Sequence, residues 1–215
     1  MGRIRGLIPM IGVGSFIFGF FFMHSSFAGK HVSPMQLRTT YYYLVNELDY
    51  PYEPLDQQIL SMNDRVLAQV STRFKKATDI EGSAVLRDGR VINFDGRKAN
   101  GEIRYKISPH SYGDGVGLCP LIPFHTVAVD PIWIPLGSVI RVAETVGMIL
   151  PDGSVHDGLW RAEDIGSAIK KDRIDLFIGG LKNRRFLKQV GIENFNPLTV
   201  SLVESPVPGN CTTLH

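Results

Sequence analysis

Three aspartates lie at the boundaries of apolar segments that are typical of β-strands. Asp130 ends the run Thr126-Val-Ala-Val, and Asp164 ends a segment that begins at Leu159. Asp175 lies between apolar residues of a third such segment. Because an ionised carboxylate is costly to bury without a partner, each of these side chains should emerge at the end of a strand. If the three converge on one face of the fold, they form a set of carboxyl groups suited to acid–base chemistry.

The residues that follow two of these aspartates favour turns. Pro131 cannot donate a ladder hydrogen bond after Asp130, and Gly166 permits a tight turn after Asp164. Aspartate is itself common as a cap of turns. From the residues alone, a purely structural role therefore stays open beside the catalytic one.

The histidines do not form a metal-binding pattern. His110, His125 and His156 are widely spaced in segments that we expect to be loops, and no two of them stand at helical spacing. We therefore expect no metal site, and no motif indicates another cofactor.

Short strands make up most of the segments that would position the aspartates. Asp88-Gly89 joins two β-rich arms, which is a strong hairpin signal, and a second turn is expected at 151–154. Many short strands separated by Gly and Pro turns predict a small β-barrel or sandwich. Apolar residues at helical spacing predict two short helices, 64–76 and 181–190. The expected strands are 38–44, the two arms of 83–94, 138–143, 158–162, 174–178 and 198–203.

Four blocks in a fixed order resemble a known family, the three-aspartate domain shared by membrane-bound lytic transglycosylase A and smaller muralytic proteins of bacteria. The resemblance is detailed over 126–180 and looser at 40–42 and 81–83. It implies a mainly β fold, a six-stranded double-psi β-barrel with a few short helices. The four blocks are Ala128-Val-Asp-Pro131, Ile134-Pro-Leu-Gly137, Ala162-Glu-Asp-Ile-Gly-Ser-Ala-Ile-Lys170 and Asp175-Leu-Phe177.

The resemblance also implies an activity, a substrate and a set of roles. A lytic transglycosylase cleaves the β-1,4 bond between N-acetylmuramic acid and N-acetylglucosamine in peptidoglycan glycan strands, and leaves a 1,6-anhydro ring. Asp175 is expected to be the acid/base, Asp164 its close carboxylate partner, and Asp130 the third, orienting member. The side chains expected to contact the glycan are Tyr41, Tyr42 and Lys170.

Departures from the family pattern keep two other functions open. Ile165 replaces the usual Thr, Ser167 replaces a frequent Gly, and Lys171-Asp172 stands where a Gly is common. A non-catalytic glycan-binding barrel is therefore the first alternative. An aspartic peptidase is the second, because Asp164-Ile165-Gly166 is similar to the Asp-Thr-Gly loop of those enzymes.

The beginning of the sequence predicts export. Arg3 and Arg5 precede an apolar run over 7–22, and Ser26-Phe27-Ala28 is typical of a cleavage site, so 1–28 is expected to be a signal peptide. The alternative is an uncleaved membrane anchor. Cleavage would leave 29–215 as a single domain with no membrane span, located in the periplasm or cell envelope of a bacterium. We expect that length to hold one domain with decoration and to lack the second domain that, in the larger relatives, helps to form the substrate groove.

Charge and cysteine content add two further expectations. Without Arg3 and Arg5 the chain carries 21 basic and 21 acidic residues, and this balance argues against nucleic acid as a partner. Cys119 and Cys211 could form a disulfide in an exported chain, or remain as two buried thiols.

Overall fold

The computed structural model describes residue 2, residues 33–206 and residue 211. The expected signal peptide, 1–28, lies outside the described residues except for residue 2. Among the described residues, no helix has both the length and the apolar character needed to cross a membrane.

The described chain is built mainly from strands. Short 3-10 turns occupy Glu47–Asp49, Val116–Leu118, Ala143–Thr145 and Leu181–Asn183. The strands and α-helices, in chain order, are β1 (Met35–Tyr42), β2 (Val45–Asn46), β3 (Gln57–Leu60), β4 (Val66–Val70), α1 (Thr72–Glu81), β5 (Ser83–Val85), β6 (Val91–Arg97), β7 (Ile103–Ser108), β8 (Thr126–Ala128), β9 (Val139–Val142), β10 (Leu159–Asp164), β11 (Arg173–Phe177), α2 (Arg184–Gln189) and β12 (Pro197–Glu204).

Six of these strands close into a barrel in the order β1-β11-β8-β10-β9-β12. The pairs β1–β11 and β8–β10 are parallel, whereas the other neighbours are antiparallel. The expected mainly β, six-stranded barrel is thus confirmed. Fully buried apolar side chains fill its interior, including Trp160, Ile140, Val127, Ile174 and Leu176.

Alternation along the strands separates the barrel interior from a second apolar cluster. Leu37 and Val127 belong to the interior core, and Tyr41 packs against it. Tyr42 follows Tyr41 in β1, and Ala128 follows Val127 in β8. Both belong to a separate small apolar cluster. Successive side chains of a strand point to opposite faces, so Tyr41 and Tyr42 lie on opposite faces of β1.

A second sheet and its own core lie between β1 and β8 in the sequence. The sheet has the order β2-β5-β6-β7, and the hairpin β3–β4 and helix α1 accompany it. The described chain thus carries a second sheet in addition to the barrel. The buried members of this second core are Val45, Ile59, Val70, Phe74, Ala84, Leu86, Ile92 and Tyr105.

The helix predicted over 64–76 is wrong in its first half. Val66–Val70 forms strand β4, which pairs with β3, and the helix runs over Thr72–Glu81. Ser71 separates the two because its side chain accepts a hydrogen bond from Phe74 N at 3.3 Å, which caps the helix. The helix predicted over 181–190 and the hairpin around Asp88-Gly89 are confirmed.

A disulfide ties the end of the described chain to the loop before β8. It joins Cys119 and Cys211, whose Cα atoms lie 5.3 Å apart and which are separated by 92 positions in the sequence. Of the two arrangements left open by the sequence, the structure has the paired one.

Candidate active site

Asp164 and Asp175 lie on either side of one small residue of the barrel wall. Asp164 on β10 and Asp175 on β11 both pair with Ala128 on the strand between them, β8. Directly paired residues share a face of a sheet, and two strand spacings amount to about 10 Å. The methyl group of Ala128 leaves the space between the two carboxyl groups open.

Two polar side chains of β1 extend this arrangement. Thr40 pairs with Asp175 in the parallel ladder, and the Tyr42 hydroxyl donates a hydrogen bond of 2.7 Å to Asp164 Oδ2. The Tyr42 ring packs on Phe177 with a centroid distance of 4.9 Å, which fixes its position. One face of the barrel wall thus carries two carboxyl groups, each with a hydroxyl beside it.

Burial changes the acidity of Asp164. It raises the pKa of this carboxyl from 3.8 to about 6, and the negative charge of Asp175 acts in the same direction. Hydrogen bonds from Tyr42 and from the backbone N–H of Ile165 (2.8 Å) oppose the rise because they favour the anion.

Asp175 has a similar pKa but fewer hydrogen-bond donors. Burial raises its pKa to about 6, while the Thr40 hydroxyl and the charge of Arg173 oppose the rise. Among the described residues, no donor reaches its buried Oδ1 atom. A buried carboxyl oxygen without a donor favours the protonated form and leaves that form free to donate to a bound molecule.

The two aspartates line a cavity of about 470 Å³ between the barrel and the second sheet. From the barrel come Tyr42, Ala128 and the turn after β10, and from the other side come the end of α1, β6 and the loop after β7. The site is thus lined by both sheets and is not confined to the barrel.

Glu81 adds a third carboxyl group that sequence reasoning did not single out. Burial raises its pKa to about 7, and Oε2 accepts a hydrogen bond of 3.1 Å from Tyr43 N. The negative charge of Asp175 also raises this pKa. The only signal in the sequence was the loose resemblance at 81–83.

Asp114 was also missed by sequence reasoning. Its buried carboxylate contacts Ser108 Oγ at 2.8 Å and His110 Nδ1 at 2.7 Å, and the residue lines the cavity. Its backbone exchanges hydrogen bonds with the side chain of Asn93. Because these partners come from β6, β7 and the following loop, Asp114 holds the wall opposite the barrel in place.

Asp130 does not join the other two aspartates in the cavity lining. Its carboxylate accepts hydrogen bonds from Lys171 N at 2.8 Å and Ile132 N at 3.1 Å. These bonds lower its pKa, so it is held as an anion. Asp130 thereby connects the loop after β8 to the loop after β10, which carries part of the cavity lining.

Two of the three expected glycan contacts lie in the cavity lining, and the third does not. Tyr42 and Lys170 line the cavity, whereas Tyr41 packs against the barrel core with the Arg184 guanidinium 5.5 Å from its ring centroid. The substituted positions Ile165 and Ser167 also line the cavity, and Ile165 is half exposed.

Comparison with known proteins agrees with this architecture. Residues 125–187 match the family model of the 3D domain. No curated protein sequence matches the chain significantly.

Two solved structures have a similar fold. MltA from E. coli, solved with bound chitohexaose, is 17% identical, with a TM-score of 0.56 over 80% of this chain and 72% of that chain. A membrane-bound lytic murein transglycosylase from Agrobacterium tumefaciens is 13% identical, with a TM-score of 0.52 over 80% of this chain and 74% of that chain. Residues 125–187 therefore match the three-aspartate (3D) domain, and the chain shares its fold with these two lytic transglycosylases.

Proposed function

We propose that this chain is a lytic transglycosylase that cleaves the glycan strands of peptidoglycan. The observation that carries the proposal is the pair Asp164 and Asp175, which flank Ala128 in a cavity and have pKa values raised to about 6. The fold shared with lytic transglycosylases supports the choice of substrate, since E. coli MltA was solved with a bound oligosaccharide.

Asp175 is the acid/base in this proposal. Its Oδ1 atom, which no described donor reaches, donates its proton, when protonated, to the glycosidic oxygen as the bond from that oxygen to the anomeric carbon of N-acetylmuramic acid breaks. The 6-hydroxyl of the same sugar then bonds to the anomeric carbon and gives its proton to the Asp175 carboxylate. The acid is thus regenerated, and the reaction consumes no water.

Asp164 is the anionic partner. Two donors, the Tyr42 hydroxyl and Ile165 N, favour its ionised form, so we assign the shared charge to Asp164 and the proton to Asp175. An anion at this position stabilises the positive charge that develops on the sugar ring in the transition state.

The other proposed roles follow from position. Tyr42 and Lys170 remain candidate glycan contacts because both line the cavity, and Tyr41 is dropped because it packs on the opposite face of β1. Asp130 is a positioning residue that acts through the loop after β10. The site of action is the cell envelope of a bacterium, where peptidoglycan is found and where a disulfide persists.

The test is digestion of purified peptidoglycan by the protein and by Asp175→Asn, with mass spectrometry of the released fragments. We expect wild-type fragments that end in a 1,6-anhydro ring, each lighter by one water than its hydrolysed counterpart, and at least a hundredfold less product from the variant. Asp95→Asn is the matched control because Asp95 is exposed on β6. Retained wall binding without any release by the wild-type protein would instead identify a glycan-binding barrel.

A further inference from the structure

A second cleft, of about 720 Å³, lies on the second sheet away from the barrel. Its lining comes from the hairpin β3–β4, from α1 and from the β6–β7 region. Most of the lining side chains carry charges or amides, among them Gln57, Gln58 and Gln69. This lining differs from that of the cavity at Asp164 and Asp175, where apolar side chains are more frequent.

The second cleft adjoins the candidate active site. Asp79 of α1 and Arg97 at the end of β6 line both spaces. A polymer held at Asp164 and Asp175 can therefore extend a branch past these two residues into the second cleft.

The charges at this junction leave one cation available. Asp79 is already engaged by Lys75 Nζ at 2.9 Å and by the Tyr105 hydroxyl at 2.6 Å. In contrast, the exposed guanidinium of Arg97 makes one hydrogen bond in the described part of the chain, from Nη1 to Gly101 O at 3.1 Å, and no ion pair there. Arg97 thus retains donors for an anionic group of a ligand.

The two other cations of the cleft, Lys75 and Arg104, are committed to the protein itself. The Arg104 guanidinium donates to Asp64 Oδ1 at 3.0 Å and to Glu102 Oε2 at 2.8 Å. These ion pairs keep the side of the cleft formed by β7 polar, but they leave the Arg104 guanidinium without an unpaired charge for a ligand. Recognition of an anion is therefore expected at Arg97.

We propose that the second cleft binds the peptide stem of peptidoglycan, with Arg97 paired to a stem carboxylate. The identity of the polymer rests on the proposed function. The glycan itself is neutral where its lactyl group is linked to a peptide, whereas the stem carries free carboxylates and peptide groups. The amides of Gln57, Gln58 and Gln69 complement peptide N–H and C=O groups.

The first test compares two substrates, peptidoglycan with its stems and the same strands after amidase treatment has removed them. For Arg97→Gln we expect kcat/KM to fall about tenfold on the stem-bearing substrate and to stay unchanged on the bare strands, because a charge-assisted hydrogen bond is lost. Arg65→Gln, at an exposed arginine outside both cavity linings, is the matched control. An equal loss on both substrates would show that Arg97 serves the glycan and not the stem, and would overturn the proposal.

The second test is independent of catalysis. A synthetic stem peptide without sugar is titrated into the wild-type protein, Arg97→Gln and Arg65→Gln, and binding is followed by calorimetry. Weaker binding by Arg97→Gln alone supports the peptide site even if no variant cleaves peptidoglycan, in which case only the proposed function fails. Equal binding by all three proteins, or none by the wild-type protein, overturns the peptide site.

Discussion

At the scale of single residues, the two carboxyl groups beside Ala128 are held unequally. Asp164 receives two hydrogen bonds that favour its anion, whereas Asp175 Oδ1 receives none among the described residues. Both lie in the same poorly solvated space, and in the proposed mechanism the additional donor at Asp164 assigns the charge to Asp164 and the proton to Asp175. This asymmetry is what a single acid/base with an anionic neighbour requires.

Replacement of Tyr42 by Phe tests this asymmetry. The variant keeps the ring on Phe177 but removes the hydroxyl that donates to Asp164, so we expect the pKa of Asp164 to move above its value of about 6. The measurement is a carbon-13 NMR titration of the aspartate carboxyl groups. In the control Tyr41→Phe, on the other face of β1, the titration should match that of the wild type. An unchanged pKa in Tyr42→Phe would mean that the hydroxyl does not bond to Asp164 in solution.

The pKa of Asp175 also predicts how stability depends on pH. Since its folded pKa of about 6 exceeds the ordinary value of 3.8, the folded protein binds more protons than the unfolded chain between these values. Its contribution to the free energy of unfolding is complete below pH 4 and is lost as the pH rises through about 6.

The substitution Asp175→Asn should remove this fall in the free energy of unfolding at high pH. At pH 8 we expect the variant to be more stable than the wild type by about 1–3 kcal/mol, and the difference to shrink towards pH 4. Urea unfolding across this range measures it, with Asp95→Asn as the exposed control. A stability difference that does not change with pH would contradict the burial of an ionisable Asp175.

At the scale of elements, Asp130 links two loops that leave neighbouring barrel strands. We expect Asp130→Ala to lower the free energy of unfolding by about 1–3 kcal/mol, because Lys171 N and Ile132 N lose their acceptor. Activity should fall as well, since the loop after β10 lines the cavity. Urea unfolding and the digestion assay measure the two effects. Asp152→Ala, which disrupts only an exposed turn at Ser154, should leave the activity intact.

The elements also show what the sequence could and could not reveal. Asp164 and Asp175 were predictable as a pair because apolar strands lead to both, and β8 brings them together through Ala128. The strand β4 was mistaken for helix because Val66 and Val70 stand four positions apart, which suits a helix face as well as one face of a strand. Only pairing with β3, a tertiary contact, decides between them.

Glu81 could not be placed from the sequence for a related reason. It ends a helix that belongs to the second core, and it reaches the aspartates only because the second sheet packs beside the barrel. No pattern in the sequence around Glu81 predicts that packing. Similarly, Tyr41 and Tyr42 look equivalent in the sequence, and only the register of β1 against β11 shows which of them faces Asp164.

At the scale of the whole molecule, the Cys119–Cys211 disulfide closes a long loop that contains most of the barrel. Because the two cysteines are 92 positions apart, we expect Cys119→Ser with Cys211→Ser to lower the free energy of unfolding by about 2–4 kcal/mol. Thermal unfolding of this variant and of the reduced wild-type protein should agree. If both unfold like the oxidised protein, the disulfide does not stabilise the fold.

The whole molecule places its candidate site between two cores, with barrel carboxyl groups on one side and the second sheet on the other. The most direct test of this account is a crystal structure of Asp175→Asn with a bound peptidoglycan oligosaccharide. We predict that a glycosidic oxygen lies within about 2.6–3.2 Å of the residue-175 side chain, with the sugar ring over Ala128. A glycan bound elsewhere, or one whose glycosidic oxygens all lie beyond reach of residue 175, would contradict the proposed acid/base.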